Sequence, residues 1–306
     1  RDERDQITSD IYEGGKEKIM KSILMIGQSN MAGRGFINEV PMICNERILM
    51  LRNAGWQMMA EPINYDRPNA GIGLAGSFAA MWCMEHEGEQ IGLIPCAEGG
   101  SSLDDWAVDK NLFKNAVIQA GFAMQDSELI GILWHQGESD SYGGGYQTYY
   151  KKLQVIIESL RKELNAFEVP LIIGGLGDFL GKNGFGLNCT EYELVNEQLL
   201  KFAREQENSC FVTAEGLTPN PDGIHMDAVS QRRFGVRYYE AFVKREHVLK
   251  PIENEMELLE RCISGPHTKR EKMYLAMAEF AAGKMTDEEF GERMRVITVS
   301  SEAMEE

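Results

Sequence analysis

The chain of 306 residues contains no apolar run that approaches the roughly 18 residues of a membrane-spanning helix. Basic residues are few: 31 Lys and Arg stand against 48 Asp and Glu, which gives a net charge of −17. Nucleic acids and anionic membrane surfaces attract proteins through basic patches, so we expect neither as a partner. Apolar residues make up 43% of the chain, which is enough for a large core without disulfides.

The six cysteines form no CxxC pair and have no spacing typical of metal ligands. Several lie within apolar stretches, where a reduced cysteine behaves as a small hydrophobic residue. We therefore predict free thiols and a cytoplasmic, reducing compartment, with no metal and no cofactor. The polar first 21 residues show no signal-peptide pattern, and Arg1 in place of Met is compatible with a processed or truncated N terminus.

Short apolar runs alternate with longer helical patterns between residues 23 and 245. Most of the runs are continuously apolar, as in strands buried on both faces of a sheet. The alternation predicts an α/β fold in which helices cover both faces of a parallel sheet. The predicted strands are Ile23–Ile26, Ile48–Leu51, Ile91–Ile94, Ile130–Trp134, Leu171–Ile173 and Phe211–Thr213. The predicted helices are Leu74–Glu85, Leu112–Gln125, Tyr149–Leu164, Glu191–Arg204 and Val229–Arg245.

Residues 251–306 have a different character, and we assign them to a helical C-terminal extension that follows a main domain of residues 1–250. Thr268 with Glu271, and Thr286 with Glu289, form the capping-box pattern of a helix start. Gly283 is expected to end the first of these helices. We favour an extension that packs on the main domain, and a dimer contact or partner surface is the alternative.

The first candidate for chemistry is Ser29, in the turn that follows the first predicted strand. Ligands of open parallel sheets bind beyond the carboxyl ends of the strands, so this hydroxyl is expected at the functional edge. Exposed backbone N–H groups beside a serine suit a nucleophile and its oxyanion. A simple turn from strand to loop is the alternative. The segment Gly27-Gln28-Ser29-Asn30-Met31 lacks the Gly-Lys-Ser/Thr of a phosphate loop and the last glycine of a nucleophile elbow.

A second candidate is the pair Asp222 and His225, which are three residues apart in one turn. At this spacing the carboxylate can orient the imidazole, which can then act as a general base towards a serine. Two further clusters follow predicted strands: Glu98-Gly99-Gly100-Ser101, and Trp134-His135-Gln136-Gly137-Glu138. A glycine N–H and a glutamine amide are suitable oxyanion donors. Together these groups supply the nucleophile, the general base with its carboxylate, and the oxyanion donors that an acyl-transfer site requires.

In their order and composition, these four segments resemble the conserved blocks of the SGNH hydrolases, in the sialate O-acetylesterase-like (SASA) branch and carbohydrate esterase family six. The resemblance covers residues 21–244. It implies a three-layer α/β/α, flavodoxin-like fold and the removal of O-acetyl groups from acetylated saccharides, as in acetylxylan esterases. It also implies that Ser29 is the nucleophile, His225 the base, and Ser29 N–H, Gly100 N–H and the Gln136 side chain the oxyanion hole. Asp222 is favoured over Glu138 as the acid that supports the histidine.

Several alternatives stay open at this point. His135, Glu138, Asp140, Asp222 and His225 are possible ligands of a divalent metal, although their spacing matches no metal motif. The chain could also be a saccharide-binding module without activity, or an esterase of sialic acid or small acetylated metabolites. The sequence does not choose between Gly99 and Gly100 as the oxyanion donor, and it does not indicate the oligomeric state.

Overall fold

The computed structural model describes residues 19–302, with side chains as far as residue 299. The strands are β1 (Met20–Gly27), β2 (Ile48–Arg52), β3 (Gly55–Met58), β4 (Ile91–Pro95), β5 (Ser127–His135), β6 (Leu171–Gly174) and β7 (Ser209–Val212). They form one sheet in the order β3-β2-β4-β1-β5-β6-β7. β3 is antiparallel to β2, and all the other neighbouring strands are parallel.

The α/β fold class is confirmed, and each of the six predicted strands overlaps an observed strand. The sheet departs from the predicted parallel arrangement at one edge, where the sequence pattern did not indicate β3. Asn53 and Ala54 join β2 to β3 in a tight hairpin, with φ angles of 53° and 55°. β3 is short and only partly buried, so its four residues lack the apolar pattern that marks the buried strands.

Helices cover both faces of the sheet, and the five predicted helices are all present. The helices are α1 (Ser29–Ala32), α2 (Ala75–Glu85), α3 (Asn111–Ala123), α4 (Tyr146–Glu163), α5 (Tyr192–Glu205), α6 (Ala228–Lys244), α7 (Glu255–Ile263), α8 (Lys269–Ala281) and α9 (Asp287–Glu302). α3, α4 and α5 pack side by side in one layer, and α2, α6 and α7 pack together in another. The predicted apolar stripe of α4 is buried. Burial of each leucine or isoleucine in it stabilises the fold by about 1.5–3 kcal/mol relative to an exposed side chain.

The C-terminal segment begins against the main body. α7 packs on α2 and α6, and α8 is tied to the region before β2, where the buried Glu271 carboxylate accepts a hydrogen bond of 2.9 Å from Glu46 N–H. α8 and α9 form a pair in which the rings of Phe280 and Phe290 stack, with centroids 4.5 Å apart. Both predicted capping boxes are present. The division at residue 250 stays a prediction.

The central strands deliver the candidate residues to one edge. β1 lies between β4 and β5, and Gly27 at its end is paired in register with His135 at the end of β5.

All six cysteines are free thiols, as predicted. Within residues 19–302, no helix is long and apolar enough to cross a bilayer.

A buried ion pair attaches α7 to α6. The Glu255 carboxylate accepts hydrogen bonds from Arg237 Nε at 2.5 Å and from Arg233 Nε at 2.7 Å, and the Arg237 side chain is fully buried. Burial opposes ionisation of Glu255, but the bonds from Arg237, the Ile252 N–H and Arg233 hold its pKa below the ordinary value.

We expect Glu255→Ala to lower the free energy of unfolding by about 3–5 kcal/mol, because it leaves the Arg237 guanidinium buried and unpaired. Urea denaturation measures this change, and Glu257→Ala on the exposed side of α7 is the control. Since the folded-state pKa of Glu255 is depressed, its contribution is complete above the unfolded pKa of about 4.3 and is lost as the pH falls through the folded pKa. Equal effects of the two substitutions would contradict this account.

Candidate active site

The turn after β1 presents Ser29 at the carboxyl edge of the sheet. Gly27 has a φ of 134°, and a Cβ at this position would lie 2.0 Å from the His135 carbonyl oxygen, so only glycine fits. Gln28 N–H donates to the same carbonyl at 2.8 Å, and Ser29 then begins α1. The Ser29 side chain is only 4% exposed. As the first N–H of this helix, the Ser29 N–H makes no hydrogen bond within the part of the chain that the structure describes.

Asp222 and His225 form the predicted carboxylate–imidazole pair. Asp222 Oδ2 lies 2.7 Å from His225 Nδ1, and Asp222 Oδ1 accepts hydrogen bonds of 3.0 Å from the Ile224 and His225 N–H groups. Partial burial opposes ionisation of Asp222, but the hydrogen bonds from His225 and Ile224 hold its pKa below the ordinary value. The anionic carboxylate therefore orients the imidazole so that its Nε2 faces away from Asp222.

The Asn30 side chain links the serine turn to the histidine loop. Its Nδ2 donates to the Ile224 carbonyl oxygen at 3.1 Å, and its Oδ1 accepts from Met226 N–H at 2.9 Å. Ile224 and Met226 are the two neighbours of His225 in the chain. Because Asn30 directly follows Ser29, this one side chain ties the backbone on both sides of His225 to the serine turn.

Glu138 is brought to the site but does not contact His225. Its Oε1 accepts a hydrogen bond of 2.5 Å from Asn30 Nδ2 and lies 3.1 Å from His135 Nε2. Burial raises the pKa of Glu138, but His135 and the bond from Asn30 outweigh this effect and lower it overall. The suggestion that Glu138 serves as the acid of the histidine is therefore not supported by its contacts, because Asp222 occupies His225 Nδ1.

The structure distinguishes the two glycines that follow β4. Gly99 N–H donates to Asp66 Oδ2 at 2.7 Å, so it has no free proton for a substrate. Gly100 has a φ of 76°, and among the described residues its N–H has no acceptor. Of the two, only Gly100 can offer a backbone N–H to a ligand in this arrangement.

Gln136 differs from its expected role as an oxyanion donor. Its side chain is fully buried, and its Nε2 donates to Asp140 Oδ2 at 2.6 Å and to the Ser101 carbonyl oxygen at 3.1 Å. Gln28 Oε1 is a third acceptor at 3.1 Å, so three acceptors surround the two protons of the amide. The Tyr149 hydroxyl lies 2.7 Å from the Gln136 carbonyl oxygen and 2.9 Å from Oε1. In this arrangement Gln136 holds the loops after β4 and β5 together and has no free N–H for an oxyanion.

Two residues of the site have no counterpart among the sequence predictions. The Arg34 guanidinium, itself buried, pairs with both oxygens of Asp66 at 3.0 and 2.6 Å. Asp66 in turn fixes the Gly99 N–H, and a Cβ on Gly99 would lie 2.5 Å from Arg34 Nη2. The arginine directly follows the Gly-rich turn after Ser29, but nothing in the sequence indicates its partner 32 residues later.

The five residues considered as metal ligands fall into separate groups. His135 pairs with Glu138, His225 pairs with Asp222, and Asp140 bonds to Gln136 and Leu103. Across residues 19–299, no three His, Cys, Asp or Glu side chains are grouped as metal ligands would be.

The fold places a serine turn and an Asp–His pair at one edge of a sheet covered by helices, which is the arrangement of a serine-type carboxylic-ester hydrolase. Residues 20–244 match the family described as carbohydrate esterase, sialic acid-specific acetylesterase (SASA). The chain belongs to this family, and it is a carbohydrate esterase by that membership. The family resemblance predicted from the four sequence segments is thereby confirmed.

Known proteins agree with this assignment. A probable carbohydrate esterase of Arabidopsis thaliana is 27% identical over 245 residues, which are 72% of this chain and 89% of that protein. A solved structure of an Arabidopsis thaliana protein is 25% identical with a TM-score of 0.66, and the match covers 73% of this chain and 98% of that one. NanS shares the fold at 16% identity and a TM-score of 0.62, over 74% of this chain and 98% of NanS.

We expect Asn30→Ala to lower kcat for ester hydrolysis by about 10²-fold with little change in KM, because the serine and the histidine lose their common support. The free energy of unfolding should fall by about 1–3 kcal/mol, since Met226 N–H and Glu138 Oε1 lose a partner. Kinetics with 4-nitrophenyl acetate and urea denaturation measure the two effects. Asn254→Ala, at an exposed position, is the control. A variant with wild-type kcat would remove Asn30 from this role.

Proposed function

We propose that the protein is a serine esterase that removes O-acetyl groups from acetylated saccharides of the acetylxylan type, through an acetyl-enzyme intermediate. The observation that carries this proposal is the arrangement of Ser29, Asn30, His225 and Asp222. Asp222 Oδ2 lies 2.7 Å from His225 Nδ1 and orients the imidazole. The Asn30 side chain, next to Ser29 in the chain, makes hydrogen bonds to both chain neighbours of His225.

In the first half of the proposed reaction, Ser29 Oγ attacks the acetyl carbonyl carbon while His225 Nε2 takes the hydroxyl proton. The Ser29 and Gly100 N–H groups bind the oxyanion of the tetrahedral intermediate, and each such donor contributes about 2.7–4 kcal/mol. The intermediate collapses to the acetyl-enzyme, and the imidazolium gives its proton to the departing sugar oxygen. Asp222 stabilises the imidazolium without taking the proton.

In the second half, water attacks the acetyl carbonyl carbon and His225 takes its proton. The second tetrahedral intermediate releases Ser29 Oγ, which recovers its proton from the imidazolium, and acetate leaves. Every proton transfer passes through His225, so the scheme calls for no cofactor. Gln136 acts in it only by holding the loop of Gly100, through the Ser101 carbonyl oxygen and Asp140.

Sialic acid esters are the second candidate substrate, because the family model is described as sialic acid-specific. The two candidates differ in charge, since sialic acid carries a carboxylate and xylan does not. Rates of acetate release from O-acetylated xylo-oligosaccharides and from O-acetylated sialic acid, measured side by side, decide between them. A clear preference for the sialic acid ester would replace the acetylxylan assignment.

Ser29→Ala should lower kcat by several orders of magnitude, up to about 10⁶-fold, because no other group replaces the nucleophile. Acetate release from 4-nitrophenyl acetate and acetylated xylo-oligosaccharides measures the loss, in the presence of a chelator. Ser264→Ala, on the exposed C-terminal segment, should retain the wild-type rate. Equal rates in the wild type and Ser29→Ala would overturn the mechanism. Saccharide binding without turnover in the wild type would favour a non-catalytic module.

Asp222→Asn should lower kcat by about 10⁴-fold, because the amide stabilises the wrong tautomer and cannot stabilise the imidazolium. Since the pKa of Asp222 is depressed, this carboxylate stays ionised in mildly acidic solution. Protonation of this carboxylate is therefore not expected to lower the wild-type kcat/KM until the pH falls below the ordinary pKa of an aspartate, and the pH–rate profile of the wild type tests this point. An Asp222→Asn variant with the wild-type kcat would remove Asp222 from the role of supporting acid.

A further inference from the structure

A groove leads away from Gly100, between the segment that follows β3 and the loop that follows β4. It consists of two adjoining cavities of about 430 and 610 Å³, which share Glu98 and Leu112 in their walls. Gly100 lines the first cavity, and Asn64 and Tyr65 line the second. Both volumes are in the range of ligand sites. A chain whose acetyl group sits near Gly100 therefore has room to continue along the surface.

The wall of this groove is rigid on both sides of Tyr65. The buried Asn64 side chain donates to the Ala97 carbonyl oxygen at 3.0 Å and accepts from Ala97 N–H at 2.8 Å. The Asp66 carboxylate accepts from Gly99 N–H at 2.7 Å. Between these two fixed neighbours, the Tyr65 side chain is 68% exposed. A large aromatic face held in water on a fixed backbone offers apolar area that a ligand can cover at little cost in conformational entropy.

The charges along the groove nearly cancel. Its charged side chains are three basic, Arg52, Arg67 and Lys110, and three acidic, Asp66, Glu98 and Asp105. Asp66 is already paired with the buried Arg34, so an excess of one positive charge remains. Arg67 and Glu98 form an ion pair of 2.5 Å, and their side chains are 50% and 30% exposed, so their remaining donors and acceptors can reach a ligand. With so small an excess of one sign, the groove has little preference for a charged ligand, whereas its polar groups suit hydroxyls.

We infer that this groove binds the neutral saccharide chain on one side of the acetylated sugar, with Tyr65 as a stacking surface and the Arg67–Glu98 pair as a hydroxyl-binding group. The inference rests on the proposed function and adds where the saccharide chain lies relative to the acetylated sugar and that the bound substrate is longer than one sugar. The enzyme then acts on esters within a chain in preference to esters of a single sugar, and Tyr65 is a specificity determinant.

Binding is tested without chemistry, in the Ser29→Ala background, by calorimetric titration with unacetylated xylotetraose. We expect saturable binding that weakens about tenfold on Tyr65→Ala and is retained on Tyr65→Phe, because the ring and not the hydroxyl makes the contact. Arg67→Ala should weaken binding as well. Phe167→Ala, which removes an exposed ring before β6, is the control and should bind as the parent does.

Kinetic measurements on the active enzyme, in which Ser29 is intact, separate this inference from the proposed function. The ratio of kcat/KM for acetylated xylotetraose to that for acetylated xylose should fall about tenfold in Tyr65→Ala, through KM. If the wild type hydrolyses both esters but xylotetraose does not bind, or binds Tyr65→Ala unchanged, the groove assignment is overturned and the esterase stands. If no ester is hydrolysed, the proposed function fails, and the titration still decides the groove. Equal affinity for tetragalacturonate would overturn the choice of a neutral chain.

Discussion

The hydrogen bonds of Asn30 are the interaction on which the rest of the site depends. This buried amide uses its carbonyl oxygen on Met226 N–H and its NH₂ group on the Ile224 carbonyl oxygen and the Glu138 carboxylate. It thus joins the loops that follow β1 and β5 to the loop before α6. These three loops are far apart in the sequence, and without a common partner the side chains that they carry would move independently. A site assembled from distant segments needs such a shared anchor, because its reacting atoms must stay within a fraction of an ångström of each other.

The carboxylates at this edge have hydrogen-bond or ion-pair partners. The buried Asp66 pairs with Arg34, the buried Glu138 lies against Asn30 and His135, and the partly buried Asp222 lies against His225 and accepts from the Ile224 N–H. An unpaired carboxylate at these depths would either take up a proton or destabilise the fold by several kcal/mol. The same pairs decide which backbone groups remain available. Because Asp66 takes the Gly99 N–H, the Gly100 N–H is left for a ligand, and the Tyr65 wall becomes rigid as a further consequence.

Much of the fold and part of the site could be predicted from the sequence. The continuous apolar runs identify the buried strands, and the 3.6-residue stripe identifies α4, because both patterns follow directly from burial. The edge strand β3 could not be predicted in this way, since it is only partly buried and is held by a hairpin. Asp222 and His225 are three residues apart, so their contact is local and the spacing predicts it. The partnership of Arg34 with Asp66, and that of Asn30 with Ile224 and Met226, joins residues distant in the chain and leaves no local signal.

The sequence by itself determined the α/β class, the strands that end at the functional edge and the types of side chain available there. These properties depend on periodicity and on short spacings, which a linear chain records. Only the tertiary structure decided which donors are free and which are already used. Gln136 has the right chemistry for an oxyanion donor, but Asp140, the Ser101 carbonyl oxygen and Gln28 Oε1 surround its two amide protons. Glu138 has the right chemistry for a triad acid, but it faces Asn30 and His135. Hydrogen-bond availability is a property of three-dimensional neighbours, because each proton can be shared only with the acceptors that packing brings to it.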